Sequence, residues 1–214
     1  MPIICPAILG EDEDQYKAEM ERISGFAHRI QIDLTDGQFA AHKTISPEKI
    51  WWPAGVKADI HVMYQQPMAV VHQLIKHRPS LIIIHAEAEA DFQEFVVACT
   101  GQGIRVGIAL LQETPVDKIL PALPQINHVL IFSGELGQYG GRANLELLNK
   151  SSILRSHKPE LEIGWDGGVD DQNVSQLVFG GIDVLNVGGF IQKASDPKSA
   201  YESLRRIADE TGTT

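Results

Sequence analysis

Short apolar runs alternate with segments of helical period from one end of the chain to the other. The runs are Ile3–Leu9, Arg29–Leu34, Ala58–Met63, Leu81–His85, Arg105–Leu111, His128–Ser133, Glu162–Asp166 and Asp183–Val187. Nearly unbroken runs of this length, bounded by polar and glycine-rich sequence, read as strands buried on both faces, as parallel strands are. Between them the period lengthens over Asp14–Ile23, Pro67–His77, Asp91–Cys99, Pro115–Leu120, Asn144–Leu154, Gln172–Phe179 and Pro197–Ala208. Helix starts are marked by Asp12 and Asp14, by Thr114-Pro115 and by Asp196-Pro197. Regular alternation without a linker or low-complexity stretch predicts one domain, residues 1–214, folded as a (β/α)₈ TIM barrel. An open doubly wound sheet is the alternative; eight evenly spaced units favour closure.

Strand parity then sorts the polar residues, because side chains alternate faces with period two. Ile30, Ile32 and Leu34 share one face of the second strand, and Gln31 and Asp33 the other. Ile60 and Val62 oppose Asp59, His61 and Met63, while Ile163 and Trp165 oppose Gly164 and Asp166. Gln31, Asp33, His61 and Asp166 are therefore expected to face the barrel interior near its C-terminal mouth. Two carboxylates converging with an imidazole can hold a divalent metal and move protons, so Asp33, His61 and Asp166 are candidate metal ligands. Helix capping is the ordinary use of an aspartate after a strand, but the shared parity with His61 speaks against it. His85, at the end of LIIIH, also faces inward, as a wall of the site or as a hydrogen-bonded core residue. Asp36 is read as shaping the turn at Gly37. His28, His42, His72, His77, His128 and His157 are read as surface or loop residues, with His42 near the mouth.

Glycines form a second constellation. GQYGGR after the sixth strand, DGG after the seventh and VGG after the eighth bring unhindered backbone amides to three consecutive loops. Loops in those positions of a barrel often bind phosphate.

Composition narrows the partners. Apolar content of 43% and charged content of 21% describe an ordinary globular chain, with no run of the roughly 20 apolar residues that would cross a bilayer. A net charge of −10 without a basic stripe excludes nucleic acid as partner, although backbone dipoles still allow an anionic small substrate. Cys5 and Cys99 are too few for a disulfide framework and read as buried thiols of a reducing cytoplasm. The start MPIICPAILG lacks a basic region and reads as a first strand, not a signal peptide.

The stretches PAIL, QIDLTDGQF with TISP, DIHVM, HAEA, GQYGG, WDGGV and the GG after DVLNV resemble the ribulose-phosphate 3-epimerase family across nearly the whole chain. The resemblance implies a ribulose-phosphate-binding barrel in which Asp33 and Asp166 are the catalytic acid–base pair. It implies a divalent ion (Zn, Mn, Mg, Co or Fe) held by both aspartates, His61 and the residue at position 31. It also implies phosphate binding around Gly140, Gly141, Gly167, Gly168, Gly188 and Gly189 and a reacting centre lined by Met63 and by the residue at position 7, here Ala7. Arg142, an addition to the family's loop pattern, is expected to give the phosphate a charge-assisted contact. The activity implied is inversion of C3 of a phosphorylated ketose, by default D-ribulose 5-phosphate to D-xylulose 5-phosphate, in a cytoplasmic homo-oligomer. A different ketose phosphate and a non-catalytic phosphate-ligand binder are the alternatives. Hexulose-phosphate synthase chemistry would want a lysine beside the strand-two aspartates, and the site strands carry none. The chain departs from the family at Gln31, where a histidine is usual, and at Ala7, where a serine is usual. It departs again at Thr35 and Phe132, where methionines are usual, and in a longer sixth loop, LGQYGGR.

Overall fold

In the computed structural model, which describes residues 1–212, each strand hydrogen-bonds in parallel to its sequence neighbours. The eighth returns to the first, so the sheet closes into a barrel of order β1 to β8. The strands are β1 (Ile3–Ile8), β2 (Arg29–Thr35), β3 (Lys57–Met63), β4 (Leu81–His85), β5 (Arg105–Leu110), β6 (His128–Phe132), β7 (Glu162–Asp166) and β8 (Val184–Val187). All eight lie where the apolar runs placed them, within one residue at either end. The α-helices are α1 (Glu13–Ile23), α2 (Met68–Leu74), α3 (Phe92–Thr100), α4 (Leu148–His157), α5 (Val174–Phe179), α6 (Gly189–Gln192) and α7 (Pro197–Gly212). Asp12 caps α1 by accepting from the Gln15 amide at 2.9 Å, and Asp91 caps α3 by accepting from Glu94 at 3.1 Å. The segment expected as helix from Pro115 is a 3₁₀ stretch, Val116–Gln125. Pro121 and Pro124 lack the N–H that an α ladder would need there.

Parity is realised as read. Ile30, Ile32, Leu34, Ile60, Val62, Ile163 and Trp165 pack outward in the layer between sheet and helices. Inside, Leu81, Ile83, Ala109 and Leu130 plug the barrel, the packed interior that such barrels have. Below that plug lies a charged floor. Arg29 donates to Asp59 at 2.6 Å and to both oxygens of Glu162, which also accepts from Arg105 at 3.0 Å and contacts His128 Nδ1 at 2.8 Å.

His128 therefore departs from the surface role read for it: it is buried on the inner face of β6. Its sequence context gave no sign, because the residue that admits it is a glycine on the next strand. A Cβ at Gly164 would come within 2.5 Å of His128 Nε2. Cys5 and Cys99 are buried free thiols, as expected.

Candidate active site

At the C-terminal end of the barrel the register sets Asp33 beside His61 and Asp166 beside Phe132. These polar side chains meet because they occupy inward positions of β2, β3 and β7. His61 Nδ1 lies 3.0 Å from Asp33 Oδ1 and 3.7 Å from Asp166 Oδ2. One ligand atom from each of Asp33, His61 and Asp166 falls within 4.8 Å of the others, a separation that one metal ion can span. Gln31 lies beneath the carboxylates. Its Nε2 donates to Asp33 Oδ1 at 2.8 Å and to Asp166 Oδ2 at 2.6 Å, while its buried Oε1 has no partner. Burial, and then the neighbouring charge of Asp33, hold the Asp166 carboxyl well above the ordinary carboxylate range.

A further row stands behind His61. His61 Nε2 lies 2.8 Å from His85 Nε2, and His85 Nδ1 lies 3.3 Å from Glu87 Oε2. His85 is thus not a wall of the cavity; it backs His61, clasped between the rings of Phe39 and Phe132. Burial pushes the His85 imidazole down to about 4. Burial alone would raise Glu87, but His85, Thr114 and the Leu111 amide outweigh it and bring the carboxyl to about 2. Glu87 escaped the sequence reading because it stands beyond the strand end, where parity no longer says which way a side chain points. The HAEA motif was its one visible sign.

Above the aspartates opens a cavity of about 230 Å³, lined by Ala7, Met63, Phe132 and Tyr139 and by Gly140, Gly141, Gly167, Gly168, Gly188 and Gly189. The glycines are there for close approach. Gly167 has φ 110°, and a Cβ on it would lie 2.1 Å from the Gly134 nitrogen; one on Gly168 would lie 2.2 Å from that of Ala143. The loops after β6 and β7 therefore pack backbone against backbone. That packing turns Arg142 away: it lines a neighbouring surface groove with Asn144, Asp170 and Gln176, not this cavity. Lys193 lines the cavity instead. It follows the short helix α6, whose four residues left no periodic signal in the sequence. Asp36 makes its turn as read, accepting from the amides of Gln38 and Phe39 at 2.8 Å and of Gln65 at 2.7 Å.

A closed parallel barrel with buried carboxylates, an imidazole and glycine loops converging at its C-terminal mouth defines a TIM-barrel enzyme. Comparison with known proteins makes the class specific. Residues 3–191 match the model of the "Ribulose-phosphate 3 epimerase family". Ribulose-phosphate 3-epimerase of Helicobacter pylori is 28% identical over 212 residues, covering 95% of this chain and 97% of that protein. The cytoplasmic isoform from Oryza sativa subsp. japonica is 28% identical over 214 residues, covering 96% and 94%. Among solved structures, 3-hexulose-6-phosphate synthase from Salmonella typhimurium superposes with a TM-score of 0.74 at 12% identity, covering 98% of this chain and 99% of that one. KGPDC from Streptococcus mutans gives 0.71 at 10%, covering 99% of each. These two share the fold. The chain belongs to the ribulose-phosphate 3-epimerase family and is an isomerase of that kind.

Proposed function

We propose that the protein inverts C3 of a phosphorylated ketose, with D-ribulose 5-phosphate and D-xylulose 5-phosphate as the pair. The observation that carries this reading is the pairing of Asp33, buried on β2, and Asp166, largely buried at the end of β7, two carboxylates held by one amide at the floor of the cavity. One carboxylate takes the proton from C3, and the C3–H electrons pass into an enediolate shared with the carbonyl. The other returns a proton to C3 from the opposite face, and the centre is inverted. The return step needs a proton on the second carboxyl, and the upward shift of Asp166, from burial and then the charge of Asp33, supports that role.

Asp33, His61 and Asp166 suit a divalent ion by donor type and spacing, two carboxylates and an imidazole. Such an ion, when bound, stabilises negative charge developing on substrate oxygen. Gln31 as it stands offers hydrogens, not a lone pair; half a turn of its amide would bring the orphaned Oε1 toward the same point. The glycine amides around Gly167, Gly168, Gly188 and Gly189, with Lys193 beside them, are the proposed phosphate end of the cavity.

A different ketose phosphate is the second reading, supported by Ala7, which lines the cavity at the position where the family resemblance leads one to expect a serine hydroxyl. No helix among the described residues is long and apolar enough to cross a membrane. The two buried free cysteines support a reducing, cytoplasmic setting, and a homo-oligomer, carried over from the sequence resemblance, is the assembly proposed. Incubation with D-ribulose 5-phosphate in D₂O, followed by proton NMR, tests the reading. Loss of the C3 proton signal together with appearance of the xylulose ester is expected. An unchanged spectrum at stoichiometric enzyme would overturn it.

A further inference from the structure

Among the described residues, the row Asp33–His61–His85–Glu87 carries more information than any one of its contacts, because each hydrogen bond in it restricts the next. Glu87 is an acceptor at both oxygens: Oε1 takes the Leu111 amide at 3.1 Å and Oε2 faces His85 Nδ1 at 3.3 Å. His85 must therefore carry a proton on Nδ1. Its Nε2 is 2.8 Å from His61 Nε2, a contact with room for one proton. With His85 holding its proton on Nδ1, that shared proton belongs to His61. His61 is left with a bare Nδ1, 3.0 Å from Asp33 Oδ1 and 3.7 Å from Asp166 Oδ2. Lone pairs converging at these distances repel one another unless a proton on a carboxyl or a cation lies among them.

We infer that Glu87, acting through His85, fixes the His61 proton on Nε2 and so presents a bare Nδ1 to a divalent cation held between Asp33 and Asp166. Glu87 and His85 are positioning residues, and the chain from a carboxylate through imidazole to the ligand nitrogen is the arrangement that sets the tautomer of metal-bound histidines. The ring contacts of His85 with Phe39 and Phe132, at 4.8 and 5.8 Å, keep it from turning to break the relay. The inference rests on the reading of Asp33, His61 and Asp166 as the metal ligands, and its test needs no sugar.

Long-range ¹H–¹⁵N correlation on the metal-free, ¹⁵N-labelled protein is expected to show the His61 proton on Nε2 and the His85 proton on Nδ1. Glu87→Gln should reverse both. The Leu111 amide claims the new oxygen, so the amide NH₂ faces His85 Nδ1; His85 then donates from Nε2, and the His61 proton moves to Nδ1. Titration with Zn²⁺ alone should find the variant's affinity lower by about 10- to 100-fold, the usual loss on removing such a partner. A His61 proton on Nδ1 in the unsubstituted protein overturns the inference, whether or not the variant folds. So does Glu87→Gln protein that binds Zn²⁺ as tightly as the parent. If the tautomers are as stated and no sugar phosphate is epimerised, the functional reading fails and this one stands.

Discussion

Gln31 Nε2 lies 2.6 Å from Asp166 Oδ2 and 2.8 Å from Asp33 Oδ1, so a single neutral amide clasps both carboxylates from below. The clasp relieves the repulsion between the two neighbouring acids without supplying a metal ligand, and it leaves Gln31 Oε1 buried and unpartnered. Gln31→His would replace the double donor with an imidazole nitrogen, a donor better matched to Zn²⁺ or Co²⁺ than an amide. Roughly tenfold tighter binding of those ions is expected, about 1.4 kcal/mol. Calorimetric titration of parent and variant decides it. Stoichiometric, chelator-resistant zinc in the parent, or no gain in the variant, would show that position 31 is not where affinity was lost.

The acid–base pair makes a second prediction. Asp33→Asn or Asp166→Asn keeps the shape of the side chain but removes its proton chemistry. Either change should lower interconversion of the two C3 epimers by at least about 10²- to 10⁴-fold, with the thermal transition of the protein retained. Near-parental epimerisation in either variant would exclude a two-carboxylate mechanism.

Much of this was legible in the sequence, and the residues show why. Period-two alternation is a local property, so Gln31, Asp33, His61 and Asp166 could be turned inward on paper and were found converging. What escaped depends on neighbours distant in sequence. His128 is buried because Gly164, across the β6–β7 ladder, leaves it room. Arg142 turns away because Gly168 packs on the backbone beside it, and Lys193 reaches the cavity through a one-turn helix too short for a period. Glu87 and Tyr139 act from loops, where direction is set by what the loop packs against. Pattern reading ends where the strands end.

The floor of the barrel predicts a pH effect on stability. Burial would raise the Glu162 carboxyl, but His128 and Arg29 outweigh it and hold it well below its ordinary value of 4.5. A depressed carboxyl contributes stability that is present above its unfolded-state value and lost as pH falls below it. Denaturant midpoints should therefore decline as pH drops below about 4.5, with the floor as one contributor. Glu162→Gln leaves buried Arg29 half-compensated, and a loss on the order of 3 kcal/mol is expected at neutral pH. The variant should also show a shallower acid decline. An acid limb as steep as the parent's would mean that Glu162 is not among the groups responsible.

Tyr139 supplies the last prediction, because one side chain joins the loop after β6 to three other parts of the barrel. Its ring lies against Gly188 so closely that a Cβ there would come within 2.5 Å of it. Its hydroxyl accepts the Leu9 amide at 2.6 Å and donates to Glu19 Oε2 at 2.7 Å, tying the loop to the end of β1 and to α1. Burial, and then the charge of Glu19, keep the phenol protonated, so it remains the donor to that carboxylate. Tyr139→Phe keeps the ring on Gly188 and removes only the tie. Glu19, buried, retains the Leu9 amide at 2.9 Å but loses a charge-assisted bond of about 1.5–3 kcal/mol. The neighbouring Gly140 backbone abuts Gly189, so slack in this loop reaches the proposed phosphate end first. KM for the phosphorylated ketose should rise roughly 3- to 10-fold if about half of that energy serves to hold the loop, with kcat changed less. Binding of the unphosphorylated ketose should hardly move. Steady-state kinetics with the ester and calorimetry with the free sugar separate the outcomes: equal weakening toward both would mean that Tyr139 stabilises the fold and does not organise the phosphate end.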